Sequence, residues 1–175
     1  MMIREANIED IGNIAELYVS NWKATYKGML PDEYLNHLDI SYGIEKWTLF
    51  LKQSNNHIFV AYEDLTFLGF GACEPDIDLD KCLYLDSLHV CANARGKGVG
   101  TKLIQIIGQY AINSNYDKIS ICIIKGNNNA RELYRKLGAV HYLDFVDDFN
   151  GIKSNSEKLL WNDLKCFQEI QGAAI

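Results

Sequence analysis

A glycine-rich segment at residues 95–101 constrains the fold of this 175-residue chain more than any other feature. It follows an apolar run at residues 83–90 and precedes a helical pattern of apolar residues that begins at Leu103. Gly96, Gly98 and Gly100 let successive backbone N–H groups point inward, and a helix start adds the positive end of its dipole. The order of strand, glycine loop and helix therefore predicts a binding site for a ligand that carries phosphate.

Hydrophobic patterning predicts the other elements around this loop. Strands are expected at residues 3–6, 57–62, 67–73, 83–90, 118–124, 140–146 and 156–161. Helices are expected from an N-cap at Asn7 through Val19, at 34–38, 44–51, 101–112 and about 128–137, the last ending at Gly138. Strands and helices in this order predict an α/β fold, a mixed sheet with helices on its faces, in one domain over residues 1–175.

Composition limits the kinds of partner that we expect the protein to bind and the compartment in which we expect it. The net charge of −6 argues against a surface that binds nucleic acid. It is compatible with a cationic amine substrate, but many cytosolic proteins carry a similar negative charge. The five cysteines contain no C-x-x-C pair and resemble buried hydrophobic residues, so neither disulfides nor a metal site is expected. The chain start lacks the apolar core of a signal peptide, and no apolar run is long enough for a membrane span. We therefore expect a cytoplasmic protein.

Two familiar phosphate-binding signatures do not fit the loop. A Walker-type loop needs Gly-Lys followed by Ser or Thr, but Gly96 and Lys97 are followed by Gly98. A dinucleotide fingerprint, G-x-G-x-x-G, meets Thr101 in its sixth position when it starts at Gly96, and Leu103 when it starts at Gly98. The signature that fits is Arg-x-x-Gly-x-Gly, beginning at Arg95.

That signature and a second motif carry a resemblance to a known family. Residues 127–138 match Asn-x-x-Ala-x-x-x-Tyr-x-Lys-x-Gly, with Asn127, Tyr134 and Gly138 in place. With both motifs at a fitting separation, the chain resembles the GCN5-related N-acetyltransferase (GNAT) family over nearly its whole length. Residues 22–35 are similar to a bacterial subgroup whose substrates are mostly unassigned.

The resemblance implies a GNAT fold, with a mixed and mostly antiparallel sheet, helices on both faces, and fourth and fifth strands that splay apart. A bulge near Leu88 and His89 would let the pantetheine arm of acetyl-CoA insert between those strands. Asn127 would contact the coenzyme or cap the helix that follows it. The expected coenzyme-binding residues are Leu88, His89, Val90, Arg95, Gly96, Lys97, Gly98, Val99, Gly100, Thr101, Asn127 and Tyr134.

The implied activity is acetyl transfer to a primary amine by direct attack, without a covalent enzyme intermediate. Tyr134 matches the tyrosine that protonates the departing thiolate, and the backbone N–H of Val90 is the candidate oxyanion donor. The position at which many members carry a glutamate base holds Tyr84. Asp86, two residues on, is a candidate substitute, and Glu74 is another. Which way His89 faces cannot be read across a bulge.

The acceptor amine is left open by the sequence. Trp22, Tyr26 and Tyr34 lie in the segment that borders the acceptor pocket in the family, where aromatic rings suit an amine, although they are equally suitable as core residues. The absent glutamate also favours an alternative function, a non-catalytic acyl-CoA-binding or regulatory module. A nucleotide-binding interaction domain is a third hypothesis. The resemblance is compatible with a homodimer.

Overall fold

The structure is a computed structural model that describes residues 1–168. Its strands are β1 (Met2–Glu5), β2 (His57–Glu63), β3 (Thr66–Pro75), β4 (Cys82–Val90), β5 (Lys118–Ile124), β6 (Val140–Phe149) and β7 (Ile152–Trp161). Its helices are α1 (Ile11–Thr25), α2 (Asp32–His37), α3 (Ile40–Leu51), α4 (Val99–Asn113) and α5 (Asn128–Lys136). The remainder of the predicted domain, 169–175, lies outside the described residues.

The strands form one sheet in the order β1-β2-β3-β4-β5-β7-β6. Neighbouring strands run antiparallel except β4 and β5, which are parallel. Each face carries a hydrophobic cluster. On one face α4 contributes Leu103 and Ile107, and on the other α1 and α3 contribute Ile14 and Trp47. The expected mixed, mostly antiparallel sheet with helices on both faces is therefore confirmed.

Several predicted boundaries shift for local reasons. Asn7 and Asp10 cap each other's backbone and form a short 3-10 turn, so that α1 begins only at Ile11. Asp39 caps the N–H of Tyr42, which starts α3 four residues earlier than expected. The helix after the glycine loop begins at Val99 and not at residue 101, and the last two strands are longer than predicted because they form one ten-residue hairpin ladder.

The start of α1 is tied to β1 through a buried carboxylate. Arg4 donates to both oxygens of Asp10, at 2.8 and 2.9 Å, and the Tyr62 hydroxyl donates at 2.9 Å. Burial alone would raise the pKa of the Asp10 carboxyl. The hydrogen bonds from Arg4, Tyr62 and the backbone N–H of Asn7 outweigh this effect and hold that pKa below its usual value. Within residues 1–168, no helix combines the length and apolarity that a membrane span requires.

The fourth and fifth strands separate as expected. Their pairing covers Cys82, Leu83 and Tyr84, opposite residues 118–120, and ends there. β4 nevertheless continues to Val90 and β5 to Ile124. Beyond Tyr84 the two strands therefore leave a gap between them.

The bulge lies at Asp86, so its predicted position at Leu88 and His89 was wrong. In the β3–β4 ladder Ser87 pairs with Ala72 and Leu85 with Cys73, which leaves Asp86 as the extra residue. The ladder is regular at Leu88 and Val90 because they lie opposite Gly71 and Gly69. A Cβ at Gly69 would lie 2.4 Å from the carbonyl oxygen of His89, so only glycine permits this close strand pairing.

Substituting Gly69→Ala should lower the free energy of unfolding by about 1–3 kcal/mol, because β3 and β4 must move apart to accept the methyl group. Urea denaturation measures the effect. The matched control is Gly12→Ala in α1, where nothing lies within 4 Å of the added Cβ. We expect this control to leave stability unchanged or to raise it by up to about 1 kcal/mol. Equal stability of the two variants would contradict the close approach.

Candidate active site

A cavity of about 800 Å³ opens between the splayed strands, the start of α4, α5 and α1. Nearly all the site residues predicted from the sequence line it. They are Trp22, Tyr26, Tyr34, Tyr84, Asp86, Leu88, His89, Val90, Arg95, Gly96, Gly98, Val99, Gly100, Thr101, Asn127 and Tyr134. Lys97 instead lines a neighbouring cavity of about 390 Å³ with Lys102 and Glu63. Glu74 borders a third cavity.

The glycine loop (residues 95–101) has the backbone that its sequence predicts. Gly96 and Gly98 have φ values of +73° and +81°, in the left-handed region that side chains disfavour. The N–H of Lys102 donates to the carbonyl of Gly98 at 3.0 Å and closes the first turn of α4. The preceding N–H groups of Val99, Gly100 and Thr101 have no partner within a helix and are available for an anion.

Part of the Arg95 guanidinium hydrogen-bonds other residues of the chain. Its Nη2 donates to Oδ1 of Asn21 at 2.8 Å, and its Nε donates to the carbonyl of Val90 at 3.3 Å. The amide nitrogen of Asn21 also donates to the Val90 carbonyl, at 3.3 Å. Arg95 and Asn21 therefore connect the glycine loop, the end of β4 and α1.

The backbone N–H of Val90 is directed into the gap between β4 and β5. The next N–H, that of Cys91, donates to the carbonyl of Leu68 at 2.8 Å and so points toward β3. Successive N–H groups of a strand point to opposite sides, so that of Val90 points away from β3. This orientation suits the predicted oxyanion donor.

Tyr134 lies at the inner end of the cavity, on α5. Its ring is 5% exposed and packs edge-on against Trp161, with ring centroids 5.9 Å apart. Burial raises the pKa of its phenol above the usual value, with a smaller contribution from Tyr26. The hydroxyl therefore keeps its proton at neutral pH, and its burial makes it a weaker acid than an exposed tyrosine.

The side chain of Asn127 caps α5, which is one of the two roles expected for this residue. Its Oδ1 accepts the N–H of Ala130 at 3.3 Å. A side-chain hydrogen bond with Asn127 also opposes the rise that burial causes in the pKa of Tyr26. At the other end of α5, Gly138 adopts a φ of +96°, as expected for the residue after a helix.

The candidate proton acceptors on β4 differ in their surroundings. Burial raises the pKa of the Tyr84 phenol, with further contributions from Cys122 and Asp86. Tyr84 is therefore protonated at neutral pH and is unsuited to accept a proton. Asp86 accepts a hydrogen bond from Ser87 at 2.8 Å and lies 3.6 Å from Nζ of Lys46. Burial and repulsion from Asp86 raise the pKa of Glu74, which receives a hydrogen bond from Asn56 at 3.1 Å.

The part of the cavity lined by α1, α2, α3 and the β6–β7 hairpin, here called the acceptor half, is largely aromatic. Trp22 lies 4.6 Å from Tyr26 and 5.8 Å from Phe149, between ring centroids. Tyr34 lies 6.0 Å from Phe149. Trp22, Tyr26 and Tyr34 are partly buried against the core, and they also line the cavity.

His89 faces α1, because the bulge at Asp86 reverses the alternation of β4. Its ring lies 5.5 Å from that of Tyr18 and 5.2 Å from that of Phe70. The guanidinium of Arg95 has only hydrogen-bond donors, so the side chain of Asn21 turns its Oδ1 toward Arg95. The amide nitrogen of Asn21 then faces Nδ1 of His89 at 3.4 Å. Burial, with Lys46 and Arg95, lowers the pKa of His89 to about 3. The imidazole is therefore neutral and carries its proton on Nε2.

The cavity residues that the sequence analysis missed include four polar ones: Asn21, Lys46, Asp147 and Ser156. Asn21 could have been noticed as a polar residue beside the apolar stripe of α1, next to Trp22. The other three belong to no local motif. They reach the cavity only through the packing of α3 and the register of the β6–β7 hairpin.

The fold and the cavity define an acyltransferase that pairs a phosphate-binding loop with a splayed β-strand. The model of the acetyltransferase (GNAT) family matches residues 15–139. The chain therefore belongs to the GNAT family.

A curated relative and two solved structures illustrate the likeness. YuaI, an uncharacterized N-acetyltransferase of Bacillus subtilis (strain 168), is 23% identical over 173 residues, 96% of each chain. PaiA N-acetyltransferase from Thermoplasma acidophilum, solved with coenzyme A, has a TM-score of 0.71 at 22% identity, over 89% of this chain and 96% of that one. yncA from Salmonella typhimurium, solved with acetyl-CoA, has a TM-score of 0.71 at 18% identity, over 100% and 97% of the two chains. These structures share the fold described above.

The neutral state of His89, which is half-buried beside α1, should make stability depend on pH. The unfolded chain binds a proton at about pH 6.5, whereas folded His89 does so only near a pKa of about 3. The stabilisation is therefore complete above the unfolded pKa and is lost as the pH falls from about 6.5 toward 3. Between about pH 7 and pH 5, the free energy of unfolding should fall by about 2 kcal/mol more in the wild type than in His89→Gln, by urea denaturation. An equal fall in both proteins would contradict this.

Proposed function

We propose that the protein transfers the acetyl group of acetyl-CoA to a primary amine by direct attack, in the cytoplasm. The observation that carries the proposal is the convergence of the glycine loop, the gap beyond Tyr84 and the Tyr134 side chain on one cavity. The coenzyme-bound state of PaiA and yncA supports it.

The residues present fit the coenzyme. The N–H groups of residues 96–101 and the dipole of α4 suit a pyrophosphate, and glycines with positive φ leave room for it. The unpaired edge of β4 between Leu88 and Val90 offers backbone groups to the amides of a pantetheine arm. Acetyl-CoA supplies a thioester carbonyl for the amine to attack and a thiolate that leaves.

Residues of this chain then handle the charge and the protons. Asp86 lines the cavity on the splayed strand and takes the proton that the attacking amine gives up. The N–H of Val90 donates to the carbonyl oxygen as negative charge develops on it. Tyr134 gives its phenolic proton to the departing sulfur and is reprotonated from solvent.

Replacing Tyr134→Phe should lower kcat by about tenfold or more, because the departing thiolate loses its proton donor. The affinity for coenzyme A should change by less than about twofold, since the ring and its packing against Trp161 remain. Free-thiol release measures turnover, and calorimetry measures binding. Unchanged turnover would remove Tyr134 as the acid. A wild-type protein that binds acetyl-CoA but acetylates no amine would favour the non-catalytic module.

Replacing Gly98→Val should weaken coenzyme A binding by about tenfold or more, measured by calorimetry. A β-branched side chain at φ +81° strains the loop and projects toward the space of the pyrophosphate. Gly28→Val is the matched control, because Gly28 also has φ +81° and open space around its Cβ but lies outside the cavity lining. It should retain coenzyme affinity. Equal affinities of both variants would contradict the loop assignment, and tighter binding of ATP than of coenzyme A would favour a nucleotide-binding domain.

A further inference from the structure

The acceptor half contains a buried hydroxyl that has no partner. Ser156 on β7 is 1% exposed, lines the cavity, and its Oγ makes no hydrogen bond with the residues that the structure describes. A buried polar group without a partner costs about 1–3 kcal/mol. A molecule in the cavity that donates to this oxygen would remove that cost.

The neighbouring strand carries an unmatched negative charge on the same face. Ser156 pairs with Phe145 of β6, so Asp147, two residues on, projects to the same side of the sheet. Asp147 accepts the N–H of Asp148 at 2.9 Å. Among residues 1–168, no cationic side chain lies within ion-pair distance of Asp147.

Two lysines that line the cavities around Asp147 already have acidic partners. Lys46 faces Asp86 at 3.6 Å, with its Nζ 4.7 Å from the centroid of Trp47. Lys158 lies 2.7 Å from Asp76 and 3.8 Å from Asp78. Neither lysine is therefore paired with Asp147.

Aromatic faces and further carboxylates surround this charge. Asp147 lines the main cavity together with Tyr34 and Tyr84. It also borders an adjoining cavity of about 690 Å³, which shares Tyr84 with the main cavity and is lined by Glu74 and Asp78. Carboxylate and aromatic faces together suit an ammonium group.

We propose that Asp147 and Ser156 form a subsite for a second cationic group of the acceptor, and that the acceptor is an alkyl diamine or polyamine. The inference rests on the proposed function. One amino group is acetylated beside Asp86, and the other donates to the Asp147 carboxylate and to Oγ of Ser156. An ammonium has three N–H donors, so it satisfies both groups at once. A longer polyamine continues toward Glu74 in the adjoining cavity.

The test compares 1,4-diaminobutane with n-butylamine, which has the same chain and one amino group. For the wild type, kcat/KM for the diamine should exceed that for the monoamine by about tenfold or more, through KM. Asp147→Asn should abolish the preference. Asp148→Asn is the matched control: it removes the same charge from the next residue, which pairs with Lys153 outside the cavity, and it should keep the preference.

Ser156→Ala gives a second readout that separates binding from folding. Because the variant removes an unsatisfied hydroxyl, its melting temperature should be unchanged or raised, while the diamine preference falls. A purely structural role would lower the melting temperature and affect both amines alike. A peptide beginning with lysine also carries two amino groups, α and ε. Comparing it with 1,4-diaminobutane as a substrate shows whether the acceptor is a peptide or a free diamine.

Calorimetry of each amine on the coenzyme A-saturated protein tests the subsite without turnover. Tighter binding of the diamine than of n-butylamine, lost in Asp147→Asn, supports the inference even if the protein acetylates the diamine slowly. Equal binding and turnover of the two amines, or a preference that survives Asp147→Asn, overturns the inference and leaves the proposed function intact. Failure of the protein to bind coenzyme A would instead overturn the proposed function.

Discussion

The end of the β4–β5 pairing at Tyr84 is the constraint on which the site depends. Inside a protein, backbone groups without partners are costly, and most sheets avoid them by continuing the ladder. Here β4 stays bound to β3 on one side while its other edge, from the Asp86 bulge to Val90, faces a gap. Gly69 allows β3 to approach that part of β4 closely, and the pairing with β3 directs the free N–H groups of β4 toward the gap.

Helix α1 joins the two halves of the cavity. Through Asn21 it binds both Arg95 of the glycine loop and the carbonyl of Val90. One residue later, Trp22 begins the aromatic surface of the acceptor half. The proposed coenzyme site and the proposed acceptor site therefore share one helix, and a displacement of α1 would alter both.

The parts of the site that could be predicted are those encoded by local backbone chemistry. Gly96 and Gly98 have the positive φ values that make glycine necessary, and Asn127 caps α5 as its position before the helix suggests. The GNAT motifs also placed Tyr134 correctly in the cavity lining. Each of these features depends on a few adjacent residues.

The rest depends on register, which single residues do not reveal. One extra residue at Asp86 reverses the alternation of β4 and turns His89 toward α1. Asp147 and Asp148 look alike in the sequence, and only the pairing of β6 with β7 turns the first toward the cavity and the second toward Lys153. Lys97, although inside the motif, borders a different cavity.

Strand β6 lies at the edge of the sheet and is bonded only to β7. Its side chains therefore border the acceptor half while making no ladder contact with the strands that would bind the coenzyme. Mutations along this edge strand alter the shape and charge offered to an incoming amine at little cost to the rest of the sheet. Substitutions in β6 could therefore change the proposed amine specificity without altering the residues proposed to bind the coenzyme.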